Sequence, residues 1–113
     1  MFGVKNMSLT NISTKTVGTL TYPSTAVNNG SSVSQINGRG LLIIDLYCSQ
    51  ALSANTVVIT TSIVPSAQYA RGMCITRSGT AIPVSISHNG EVAIQTALSG
   101  TNQYVQGQIV FDV

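Results

Sequence analysis

The chain of 113 residues carries one histidine, His88, and three carboxylates, Asp45, Glu91 and Asp112. A Ser-His-Asp relay can be drawn on paper from its 14 serines. No Gly-x-Ser-x-Gly elbow is present, however, to hold a nucleophile in place. Glycoside hydrolysis needs two carboxylates across a cleft, and these three acids fall on separate stretches. One histidine and two distant cysteines, Cys48 and Cys74, lack the spacing of a zinc site, and the acids form no calcium loop. Gly38-Arg39-Gly40 has neither the lysine nor the length of a phosphate loop. The residues point away from an enzyme: no catalytic residue, metal ligand or cofactor is expected.

What the side chains can do is bind. His88-Asn89-Gly90-Glu91 sets an imidazole, an amide and a carboxylate on one turn, and paired donors and acceptors of this kind suit a polyol. The alternative is a turn selected only for its Asn-Gly geometry. Tyr69 and Arg71, with Gln68 beside them, form a second group in what reads as a loop after Pro65. A planar aromatic next to a forked guanidinium suits a saccharide or a phosphate-bearing polymer; the alternative is that Tyr69 plugs the core. Asn102, Gln103 and Tyr104 precede the last strand and can join either group.

These groups need a scaffold, and composition says which. Val, Ile and Thr supply 36 residues, and branching at Cβ favours a pleated surface over a helix. No 3.6 period runs through any window of a dozen residues, while turn residues recur every eight to twelve positions or so, the spacing of short strands. Ile82, Val84 and Ile86 alternate with Pro83, Ser85 and Ser87; Asn89-Gly90 follows; then Val92 and Ile94 alternate with Ala93 and Gln95. This reads as a hairpin with a type I′ turn. Val105, Gly107, Ile109, Phe111 and Val113 face one way on a last strand, and Gln106, Gln108, Val110 and Asp112 the other. Leu41 to Tyr47 is apolar on both faces, Thr56 to Val64 is a long β-branched run, and Met73 to Thr76 is a shorter one. Val17 to Tyr22 reads as a first strand stopped by Pro23. The Ser/Asn/Gly-rich segment 24–39 has room for one short strand near Val33 to Ile36. The predicted fold is all-β: an antiparallel jelly-roll-like β-sandwich or barrel of seven to eight short strands spanning 15–113, with 1–14 as an arm or the remnant of an upstream region.

Only 7% of the residues are charged and the net charge is +2, against about 25% charged in average proteins. Lys5, Lys15, Arg39, Arg71 and Arg77 are scattered, without the clustered cations that nucleic acid demands. The longest apolar run, Leu41 to Ile44, is far short of the roughly 20 residues of a membrane span, and the N-terminus has no apolar signal-peptide core. Asn6, Asn11 and Asn29 match the glycosylation sequon, as chance allows in so Ser/Thr-rich a chain. Cys48 and Cys74 read either as two buried small hydrophobes or as one disulfide. Outer strand faces made of Ser, Thr, Gln and Asn are costly for a lone soluble monomer. Much of that surface is therefore expected to be covered by other copies of the chain. Asp45, inside an apolar run, must be paired or at an interface, unless it points to solvent at a strand edge.

Leu52-Ser-Ala-Asn55, Thr56-Val-Val-Ile-Thr60, Ile63-Val-Pro65 and Tyr69-Ala-Arg71 together resemble a strand-and-loop passage of phage receptor-binding head domains. The hairpin Val84-Ser-Ile-Ser-His-Asn-Gly-Glu-Val-Ala-Ile94 and the ending Gly107-Gln-Ile-Val-Phe-Asp-Val113 extend the resemblance over residues 40–113. The chain is thus similar to the heads of baseplate and tail-fibre proteins of phages infecting Gram-positive bacteria, above all the lactococcal type. The resemblance implies a homotrimeric head on the virion tail, made in the host cytoplasm and seated among other tail proteins. It implies reversible, non-enzymatic adhesion to cell-wall saccharide or teichoic acid. Tyr69 and Arg71 match the family's proline-aromatic-arginine loop, and His88, Asn89 and Glu91 its exposed hairpin. The tryptophan frequent in such heads is missing, as is a neck or shoulder region. Two other readings stand beside this one: a structural virion protein without a ligand, such as a tail adaptor or capsid decoration, and a trimeric C1q-like bacterial surface protein.

Overall fold

The computed structural model describes residues 14–23 and 26–113, and the predicted arm falls almost wholly outside them. The described residues are all-β, without a helix. Hence no helix among them is long and apolar enough to cross a membrane. Ten strand segments form: β1 (Thr16–Val17), β2 (Leu20–Thr21), β3 (Val27–Asn28), β4 (Ser32–Ile36), β5 (Arg39–Cys48), β6 (Val57–Thr61), β7 (Tyr69–Thr76), β8 (Ala81–Ser87), β9 (Glu91–Ile94) and β10 (Gln103–Asp112). That exceeds the seven or eight anticipated, largely because the expected first strand is split. Gly18 and Thr19 interrupt it, so that β1 pairs with β4 and β2 with β6.

All strands belong to one antiparallel sheet, in the order β1-β4-β5-β10-β7-β8-β9-β6-β2, with β3 beside β5. Three of the pairings are nested: β7 with β8, β6 with β9 around them, and β5 with β10 outermost. A long ribbon folded back and rolled up in this way is what makes a jelly roll. Residues 16–21 then join the two ends of the sheet. The Gly18 N–H donates to Val33 O at 2.9 Å, and the Ser62 N–H donates to Thr19 O at 3.1 Å.

The rolled sheet encloses one core. Leu42, Ile44 and Leu46 of β5, Ile82, Val84 and Ile86 of β8, Val92 and Ile94 of β9, and Val105 and Ile109 of β10 are all essentially inaccessible. Within the last strand the register follows its alternation: Val105, Ile109 and Phe111 point inward, and Gln106, Gln108, Val110 and Asp112 outward, while Val113, expected on the inner side, lies past the strand end and is exposed. Phe111 also lies across Gly40, its cross-strand partner. A Cβ on Gly40 would fall 2.3 Å from the Phe111 ring. In β6 the pairing shifts between Val57 and Ile59, and this bulge turns the adjacent Val58 and Ile59 both inward. The strand ends at Thr61, earlier than the β-branched run through Val64 suggests, because Ser62 and the residues after it bend away.

The type I′ turn expected at Asn89-Gly90 forms elsewhere. Asn89 does not have positive φ, so Asn89-Gly90 is not the type I′ turn. His88, Asn89 and Gly90 instead form a three-residue loop. The Gly90 N–H donates to Ser87 O at 2.9 Å, and only Gly90 has positive φ, at 87°. The two-residue type I′ geometry belongs to Asn37 (φ 53°) and Gly38 (φ 76°), which join the paired ends of β4 and β5. Gly90 is also packed tightly, since a Cβ there would lie 2.3 Å from Thr61 O.

Cys48 and Cys74 are both buried and free, so no disulfide forms. Burial raises both thiols, that of Cys74 to about 12. Asp45 is half-buried on the outer face of β5. Its carboxylate accepts from Asn29 Nδ2 at 3.0 Å and Gln106 Nε2 at 3.2 Å, so amides satisfy it within the chain.

Two tests follow from this packing. Gly90→Ala combines left-handed strain with a backbone clash and should cost about 2 kcal/mol or more in urea unfolding. Raised thiol pKa values favour the neutral forms in the folded state. Their stabilisation is complete below the ordinary thiol value of 9.0 and is lost as pH rises from there toward about 12. Unfolding midpoints should therefore fall across that window, and Cys74→Ala should flatten the fall.

Candidate functional site

The groove on the outer face of β7, β8, β9 and β6 follows from side-chain size. One cross-sheet row runs from Arg71 through Ser85 and Ala93 to Val57, in direct register. Tyr69 lies opposite Ser87 one step along. Small residues on the two middle strands make a floor, and longer ones on the outer strands stand as walls. Four strands at about 4.8 Å spacing set the walls roughly 14 Å apart, measured between Cα positions. The groove encloses about 470 Å³, open to solvent, and Asn89, Glu91, Asn55 and Gln95 complete its lining.

Polar groups hold the floor and one end. Gln95 Nε2 donates to Ser85 Oγ at 2.8 Å. Ser87 Oγ accepts from the N–H groups of Asn89 and Glu91, both at 3.3 Å, and so organises the loop at the end of the groove. Tyr69 is 54% exposed, which overturns the reading of it as a core plug. Its position is also corrected: Tyr69 and Arg71 lie on strand β7, not in a loop, because β7 begins four residues earlier than its β-branched core suggests. Strand alternation directs both side chains outward.

Four of the six expected site residues therefore converge: Tyr69, Arg71, Asn89 and Glu91. His88 belongs to the support. Its Nδ1 lies 2.7 Å from Pro65 O and its backbone N–H donates to Gln68 O at 3.0 Å, which fastens the loop to the segment ahead of β7. A carbonyl can only accept, so Nδ1 carries the proton. Tyr104 lies elsewhere. It packs at a tilt against Tyr47, with centroids 5.1 Å and ring planes 56° apart, and the Arg77 guanidinium sits 4.1 Å above its ring. Tyr47 in turn donates to Asn102 Oδ1 at 2.5 Å. This cluster borders a separate, shallower groove of about 330 Å³. Arg71 and Arg77 are six residues apart, about 20 Å along extended chain.

The floor and the far wall carry no mark on individual residues. Ser85 and Ser87 were visible as the polar half of an alternating strand, but nothing marked them as groove rather than plain surface. Asn55, Val57 and Gln95 enter only through the pairing of β6 with β9 and the close of β9.

Glu91 is the one carboxylate that lines the groove. Among the described residues no three of His, Cys, Asp and Glu come together as a possible metal site. The arrangement offers an aromatic face, a guanidinium, a carboxylate, amides and hydroxyls on a rigid floor, which is equipment for hydrogen-bonding a polar ligand. Comparison with known proteins adds no relative: no family model matches the chain, and no curated protein or solved structure is significantly similar to it.

A second surface lies on the outer face of β5, β10 and β7. Ile43, Gln108 and Met73 form one cross-strand row, and Asp45, Gln106 and Ile75 the next. Met73, Ile75 and Val110 are each about half exposed, and Ile43 slightly less. The expectation of uncharged outer faces built from Ser, Thr, Gln and Asn is met only in part: the groove mixes Ser, Asn and Gln with Arg71 and Glu91, and this second face is considerably more apolar.

Proposed function

We propose that the chain is a non-enzymatic adhesion module that binds cell-surface saccharide. We further propose that it is the receptor-binding head of a phage tail fibre or baseplate, acting as a homotrimer. The observation that carries this reading is the groove, where Tyr69, Arg71, Asn89 and Glu91 meet over a floor of Ser85, Ser87 and Ala93. A sugar ring presents hydroxyls at its edge and C–H groups on its face. The groove answers with hydrogen-bonding groups and an aromatic side chain. An open, shallow site of this kind binds weakly alone, and several copies on one particle supply avidity.

The apolar face supports assembly. A contiguous exposed apolar patch commonly marks an interaction site, and Gln106 and Gln108 both donate and accept, so a second copy can satisfy them. The ligand class is cell-wall saccharide or teichoic acid, and the further partners are other tail proteins of the virion. A structural virion protein without a ligand would use the apolar face and leave the groove idle, so the two readings separate by mutation.

Retention on Gram-positive cell-wall polymer tests the groove. Tyr69→Ala and Arg71→Ala should each weaken retention about tenfold or more, while Tyr104→Ala leaves it unchanged. Wild-type protein that is not retained on any wall preparation would overturn the adhesion reading. Light scattering tests assembly. The wild type should have three times the 11.8 kDa chain mass, and Met73→Lys with Ile75→Lys should yield monomer. A monomeric wild type would refute the trimer.

A further inference from the structure

The groove has a polarity of charge that hydrogen bonding to a neutral sugar does not require. Arg71 stands on one wall, on β7, and Glu91 lies across the floor at the start of β9. Strand spacing and rise place their Cα atoms about 12 Å apart. They do not form an ion pair: among the described residues the only one joins Arg39 to Asp112. Both side chains are exposed, and the residues between them, Ser85, Ser87 and Ala93, are short and uncharged.

We infer that the groove selects a zwitterionic saccharide, with an unacetylated amine beside Glu91 and a carboxylate or phosphate beside Arg71. This rests on the saccharide-binding reading and specifies its substrate class. The chemistry is complementary at both ends. A carboxylate accepts charge-assisted hydrogen bonds from an ammonium, and a guanidinium fork takes two oxygens of an oxyanion. Neither charge is paired with another among the described residues, so a ligand that brings both opposite charges neutralises the pair. A purely anionic polymer would place like charge near Glu91, and a purely cationic one near Arg71; both arrangements are unfavourable. Tyr69, next to Arg71 on the same face of β7, offers its ring to the body of the sugar.

The test uses the full chain and four matched sugars, titrated by NMR chemical shift: glucosamine 6-phosphate, N-acetylglucosamine 6-phosphate, glucosamine and N-acetylglucosamine. Glucosamine 6-phosphate should bind about tenfold more tightly than either sugar lacking one of its charges, with shifts confined to the groove. Muramic acid against N-acetylmuramic acid repeats the comparison with a carboxylate, and shows which oxyanion is preferred. Glu91→Gln should abolish the preference for the free amine and keep the preference for the anion. Arg71→Gln should do the reverse. Equal binding of all four sugars in the groove would overturn the zwitterion inference and leave saccharide binding standing. No groove shift with any of the probes would also overturn it, and retention on wall polymer then decides the broader reading separately.

Discussion

Everything on the outside of this molecule is set by what its inside demands. A strand shows every second residue to the core. Here the core takes Leu, Ile and Val from β5, β8, β9 and β10 with almost no exposure. The remaining positions of the same strands are then fixed in place, side by side, by cross-strand register. Ser85, Ser87 and Ala93 become a floor and Tyr69 and Arg71 a wall, because their neighbours Ile86, Val84 and Val92 are needed inside. The apolar outer face of β5, β10 and β7 arises in the same way, as the other half of strands whose inner half is committed. A one-residue slip in any pairing would exchange core and surface, and both surfaces would vanish with it.

The parts that were legible in the sequence are those encoded locally. The alternation of β10 predicts its buried and exposed sets, and the β8–β9 hairpin is visible from its two alternating runs. Local signals mislead where tertiary contacts choose between similar options. Asn-Gly occurs at 29–30 as well as at 37–38 and 89–90, yet of the latter two only the first is a two-residue turn. At the second, His88 extends the loop by bonding to Pro65, and Gly90 packs against Thr61. Tyr69 and Arg71 look like loop residues because Ala70 and Gly72 dilute the β-branched signal of β7. Pairing with β8, in register from Tyr69 to Ile75, overrides that weak local preference. The nested pairing leaves no mark in periodicity, so Glu91 could be seen as a turn residue but not as the far side of a groove. Tyr104, close in the chain to polar neighbours, proved to belong with Tyr47 and Arg77.

A binding surface built on paired strands behaves differently from one built on loops. Most Cα positions of the groove are held by backbone hydrogen bonds on β6, β7, β8 and β9, and the loop between β8 and β9 at one end is fastened by Ser87 and His88. Little ordering is left to be done when a ligand arrives, which limits the entropic cost of binding. The same rigidity limits how far the groove can adapt, so selectivity must come from which groups line it. In the proposed reading, the separated charges of Arg71 and Glu91 therefore count for more than they would on a mobile surface.

The short passage at residues 16–21 has a consequence beyond closing the fold. A rolled sheet with two bare margins, in a chain with so few charges to keep copies apart, would invite strand-to-strand recruitment and fibre growth. By lending β1 to one margin and β2 to the other, this passage pairs Ser34–Gln35 of β4 and Thr60–Thr61 of β6 and shortens both open edges. The homotrimer proposed above would accordingly form through side-chain contacts between faces and not through open-ended strand stacking.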